Sequence, residues 1–334
     1  MKPALKSILK IFLLGVIGVL LQTCKDDKIE CQECRDSSNY CDSFPKPTGI
    51  FNGIITVKDT QRLAPCFNPV DNNEFIYILV EGNKHKLIKF NLETNNETLL
   101  NENTRINGQP KWGQNGKIVF TKSDNNIYLV KSNGDSSKKL TNYFWNSYPS
   151  FLGEDKVFFS VMVETVKGAS GNKVIDLFGN RLDSIRSSDL GAAFGINDIN
   201  SNGIIASWFC QNSICSIMYF NFDSKNYQSA YVFPSTGRNA ITGIAWHPNN
   251  EDIYFSTFRE GLFRVNINSK KVVKIRNGCD TRSYRYLNIS PDGKKIIVER
   301  VDATDYTRNP GSWTEEAKIY IMDLDGKNER NVFE

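Results

Sequence analysis

Between residues 109 and 141 the chain reads QPKWGQNGKIVFTKSDNNIYLVKSNGDSSKKLT, with apolar runs at Ile118-Val119-Phe120 and Ile127-Tyr128-Leu129-Val130 set among Asn, Gly and Asp. Both runs are too short for helices and rich in β-branched and aromatic residues, so each is predicted as a strand covered on both faces. Pro110-x-Trp112 ahead of them and Lys139-Leu140-Thr141 behind supply two further strands, four in roughly forty residues. The alternation recurs along the chain. Polar turns at Asn72-Asn73, Asn115-Gly116, Glu154-Asp155, Asn202-Gly203, Asn249-Asn250 and Asp292-Gly293 are each followed by an apolar run. The residues that open the repeats are Phe67, Trp112, Phe151, Ile199, Trp246 and Ile289, at intervals of 45, 39, 48, 47 and 43. A β-sandwich would not repeat at one interval, and an α/β fold needs long amphipathic helices that this pattern lacks. The predicted fold is all-β, a six-bladed β-propeller with four-stranded antiparallel blades spanning residues 49–334. One strand is left over, Gly49 to Lys58. Because an open ring leaves backbone groups unpaired, it is expected to complete the last blade beside Asn328 to Phe333.

The order Pro-x-Trp, Gly turn, Lys-Ile-Val-Phe, Asn-Ile-Tyr-Leu-Val, Asn-Gly, Lys-Leu-Thr resembles the repeat of TolB-like, WD-repeat-like bacterial propellers. Leu287 to Leu324 repeats it almost position by position, through Ser290-Pro291-Asp292-Gly293-Lys294-Lys295-Ile296-Ile297-Val298 and Lys318-Ile319-Tyr320-Ile321-Met322-Asp323. The resemblance implies the fold more strongly than any activity.

The N-terminus changes the setting. Lys2, Lys6 and Lys10 precede an apolar run, Ile11 to Leu21, that is too short to span a bilayer, so residues 1–23 read as a signal peptide. Leu21-Gln22-Thr23-Cys24 is similar to the lipobox of bacterial lipoproteins, which implies acylation of Cys24. Lys25-Asp26-Asp27 is similar to a surface-export signal of some Gram-negative lipoproteins. Residues 24–48 then form a Cys-containing tether. The expected location is the outer membrane, on the cell surface or the periplasmic face, held by the N-terminal lipid alone.

Charge adds an exclusion. Of 41 Lys and Arg, three lie in the leader, leaving 38 against 37 Asp and Glu, a net of +1 with no basic stripe for nucleic acid. Of eight cysteines, Cys24 is set aside; Cys210 and Cys215 flank a short turn and are expected to form a cross-strand disulfide. Cys31, Cys34, Cys41, Cys66 and Cys279 cannot be paired from sequence. With His85 and His247 the only histidines and no second Cys-x-x-Cys, disulfides are a better reading than a metal site, and no cofactor is expected.

Chemistry is sparse. Asp198 to Gly203 opens like a calcium loop, yet Phe209 stands where a bidentate Glu is needed. No Gly-x-Ser-x-Gly elbow is present, and no catalytic residue is assigned. In a four-stranded blade, the loops crossing between blades and the loops joining second to third strands share one face. Those segments carry Arg105, Trp145, Arg238, Arg282, Tyr284, Arg285, Tyr306, Arg308 and Trp313, an aromatic and arginine set suited to an interface or a sugar-stacking cleft. The expected function is a non-catalytic binding or scaffold module for an envelope protein, as a monomer or within a larger assembly. The alternatives are surface glycan capture, or a carbohydrate-active lyase or hydrolase, which would need carboxylates such as Asp280, Asp302 and Asp305 to converge.

Overall fold

The computed structural model describes residues 30–31, 55–102, 105–142, 145–161, 171–186, 195–236, 238–307 and 312–334. The leader lies outside them, as does the tether apart from Glu30–Cys31, and no helix occurs among them. Six antiparallel sheets follow one another in chain order, each running from its first to its fourth strand without a crossover. The first strands, Thr60–Asn68, Ile106–Trp112, Asn146–Leu152, Asn197–Ile199, Ile241–Trp246 and Arg282–Ile289, contact one another in sequence, and the sixth returns to the first. This is the six-bladed propeller that the repeat interval predicts.

Packing follows from strands with two apolar faces. In the second strand of blade two, Ile118 and Phe120 pack toward blade one while Val119 packs toward blade three. Ile253 and Phe255 likewise face blade four, and Tyr254 faces blade six. Each of the six blade interfaces is thus one apolar cluster, and no single central core exists. Successive side chains of a strand point to opposite faces, so a fully apolar run is what a blade covered on both sides requires.

Two local devices recur. In blades one, two, three and six the first strand breaks register, with a left-handed residue at the break: Ala64 (φ 53), Gly108 (φ 75), Tyr148 (φ 51) and Tyr286 (φ 48). The bulge accommodates Pro65, Pro110 and Pro149, which have no N–H for the ladder. In the turn from third to fourth strand, Asn91, Asn221 and Asn266 each accept from two backbone N–H groups two and three residues on. The apolar residue that follows, Leu92, Phe222 or Ile267, packs into a blade interface.

Closure differs from the expectation in detail. Ile55–Val57 does join the last blade, pairing parallel with Trp313–Glu315 of its third strand, while Arg330–Asn331 pairs antiparallel with Tyr320–Ile321. The two therefore lie end to end along one edge instead of side by side. Residues 49–54 are outside the described residues. The disulfide Cys210–Cys215 is present, with Cα atoms 4.0 Å apart, across a two-residue turn whose Asn212 and Ser213 both have positive φ. Cys279 is also disulfide-bonded, whereas Cys66 is a free, buried thiol.

Candidate functional site

At the crossing-loop end, Trp145 is 53% exposed and left-handed (φ 64). Its crossing is pinned by Asn146, whose backbone N–H and Nδ2 both donate to Asn125 O at 2.9 Å. Arg105 is exposed on the preceding crossing, and Arg238 on the one between blades four and five. Arg238 pairs with Asp280 at 2.7 Å, and Arg259 reaches the same oxygen at 3.3 Å. Arg285 is half-buried, 3.6 Å from Glu315 and over the Phe258 ring at 5.9 Å.

Arg282 and Tyr284 have a different role from the one expected. Arg282 is buried and grips both oxygens of Asp302, at 2.6 and 3.2 Å. Arg300 bridges Asp302 (2.8 Å) to Glu329 (2.9 Å), and Arg276 reaches Glu329 at 3.3 Å. The result is a ladder of three guanidiniums and two carboxylates that fastens blade five to blade six. Tyr284 is fully buried in that interface, and burial pushes its phenol well above the usual range. Alternate residues of a first strand face the neighbouring blade, which takes this side chain out of reach of a ligand. Tyr306 and Trp313 lie in strands, but their side chains are outside the described residues, as is all of Arg308. Asp280 and Asp302, candidates for the enzymatic alternative, are each engaged by two arginines.

Farther along the axis the ring is filled. Gln109 Nε2, from blade two, donates to Pro65 O of blade one at 2.6 Å and to Tyr286 O of blade six at 3.1 Å. Asn197 Nδ2 donates to Tyr148 O at 2.8 Å, tying blade four to blade three.

At the opposite end, where first strands turn into second strands, a cleft of about 360 Å³ opens on the axis. The residues just before the repeat openers are Cys66, Lys111, Ser150, Asp198, Ala245 and Asn288, and five of these six line it, all but Ala245. Lys111 Nζ donates to Asp198 Oδ1 at 2.8 Å, reaching from blade two to blade four, and Asp198 Oδ2 accepts from Trp246 N at 2.8 Å. Burial pushes the Cys66 thiol up to about 11, only partly opposed by Lys111, so it stays protonated. Sequence reasoning passed over Lys111 and weighed Asp198 only as the opening of a calcium-like loop. Their signal was a charge directly before the residue that opens a repeat, inside a strand otherwise built for packing.

No protein-family model matches the chain, and no curated protein matches it. Solved structures do. TolB from Agrobacterium tumefaciens is similar with a TM-score of 0.55 and 17% identity, over 74% of this chain and 88% of that one. TolB from Acinetobacter baumannii is similar with a TM-score of 0.53 and 16% identity, over 64% of this chain. The fold is that of a TolB-like propeller. The match spans about half, 53%, of the A. baumannii TolB chain. The β-propeller domain of the Trilobed protease from Pyrococcus furiosus, described as having an open velcro topology, is similar over 98% of its length at 11% identity and a TM-score of 0.53. At such identities the likeness establishes the fold alone.

Proposed function

We propose that this TolB-like propeller is a non-catalytic binding module, exported and anchored through a lipidated Cys24, that engages a protein partner in the envelope with its crossing-loop end. The observation that carries the reading is Trp145: an indole left 53% exposed on a crossing pinned by two hydrogen bonds to Asn125. An exposed apolar ring next to a backbone position fixed by hydrogen bonds is what an interface anchor needs, since less loop freedom remains to be lost on binding. Arg105 adds an exposed cation on the preceding crossing, and Arg238, paired with Asp280, adds one on the crossing between blades four and five. The lipid would keep the ring beside the membrane and free to meet a partner there.

Cross-linking in intact envelopes, followed by affinity capture and mass spectrometry, tests this. One dominant protein should be captured by the wild type and lost with Trp145→Ala, whose melting temperature should stay that of the wild type. Capture of polysaccharide in place of protein, or its depolymerisation by the purified chain, would refute the proposal.

A further inference from the structure

The cleft at the turn end carries chemistry that the crossing-loop reading does not use. A lysine ammonium has three N–H donors and no acceptor. Lys111 gives one proton to Asp198 Oδ1 at 2.8 Å, and Asp198 Oδ2 is taken by Trp246 N at 2.8 Å. The carboxylate is therefore met from two sides, and two protons on Lys111 remain available. Ser150 belongs to blade three, between Lys111 of blade two and Asp198 of blade four, and lines the same cleft. It is 3% exposed, yet among the described residues its hydroxyl has no hydrogen-bond partner. An unmet buried hydroxyl costs stability, so a fold keeps one mainly where something else will meet it. From blade six, Asn288 Oδ1 accepts from Phe67 N at 2.9 Å, which leaves its amide N–H groups as donors.

Lys111, Ser150 and Asn288 thus bring donors to one cleft, and the acceptor-only group that takes several donors at once is a carboxylate. We propose that this cleft binds a carboxylate, with Lys111 Nζ and Ser150 Oγ donating to its oxygens and Asp198 fixing the ammonium. Asp198 in the wall and exposed Glu154 on the rim disfavour a second negative charge, so the ligand is a monocarboxylate. A volume of about 360 Å³ suits a small molecule or the last residues of a peptide.

Trp112 and Trp246 line the cleft, so indole fluorescence reports occupancy. The mature protein is titrated with N-acetyl-trialanine bearing a free C-terminal carboxylate, with its C-terminal amide, and with propionate. The acid should bind, and the amide should bind at least about tenfold more weakly. Ser150→Ala should weaken the acid about tenfold while leaving the melting temperature unchanged or higher. Lys111→Gln, which can still hydrogen-bond Asp198, should abolish binding; should it fail to fold, Ser150→Ala decides. Binding of propionate as tight as the tripeptide would assign a free small carboxylate, and binding of the tripeptide alone a chain terminus; both support the site. Equal binding of acid and amide, no response to any probe, or a Ser150→Ala variant that melts lower and binds normally would overturn it.

Discussion

Glu299 lies fully buried in the second strand of blade six, where its carboxylate accepts from Ala64 N at 2.9 Å across the blade six to blade one interface. Burial raises its pKa, against the pull of Arg285. A carboxyl whose folded pKa exceeds its unfolded value contributes stability below the unfolded pKa, and that contribution is lost as pH rises through the folded pKa. Glu299→Gln should therefore melt above wild type at neutral pH, with the gap closing as pH falls into the carboxylate range. A variant that melts lower at neutral pH would mean that the ionised form is the stabilising one. The two tryptophans separate in the same experiment. Trp112 is 8% exposed among Ile118, Phe120 and Val130, and Trp112→Ala should cost about 3–5 kcal/mol. Trp145→Ala should cost no measurable stability, because its ring faces solvent. Such distinctions were only half legible: Pro-x-Trp marks Trp112 for packing, but nothing in Arg282-Ser283-Tyr284 tells that both its arginine and its tyrosine turn into a blade interface.

Among the elements, closure rests on the C-terminus. Phe333 packs on Phe90 (4.9 Å between centroids) and Tyr77 (5.3 Å) of blade one, and the Arg62 guanidinium lies 4.2 Å above its ring. The N-terminal strand contributes three paired residues and one further backbone bond, Lys58 N to Glu315 O at 3.0 Å. Phe333→Ala should cost about 3 kcal/mol, and deleting residues 49–58 should cost less, by denaturant titration of both. The reverse order would put the clasp at the N-terminus. The leftover strand signal at Ile54-Ile55 was readable, but its weight was not, because a strand's worth depends on what its faces cover. Disulfides follow a similar logic. Cys210–Cys215 is closed, Cys66 is free and Cys24 is reserved for the lipid, so the partner of Cys279 is expected among Cys31, Cys34 and Cys41. Non-reducing peptide mapping should find Cys279 joined to a peptide from the first 48 residues; a Cys66 linkage would contradict the buried free thiol.

For the whole molecule, the export reading makes its own prediction: the mature chain from a native envelope should begin at Cys24 and carry acyl mass, read by intact-mass spectrometry. An unmodified N-terminus elsewhere would remove the anchor from the proposal. The six-fold ring was written in the chain, because each blade repeats the same demand: polar turn, doubly apolar strand, polar turn, at intervals near one blade length. Local pattern suffices for that, since within each blade the four strands pair with their sequence neighbours, while the closing strand Ile55–Val57 pairs at long range. What the axis holds was not written so. Lys111 and Asp198 are 87 residues apart and meet at 2.8 Å only when the ring brings blades two and four, on either side of blade three, to a common centre. Gln109 finds its carbonyl partners in blades one and six for the same reason. Periodicity thus determined the blades, the covered strands and the one hairpin disulfide. Which side chains are offered to a ligand was decided by curvature, which brings residues distant in sequence to a common centre and turns others into the seams between blades.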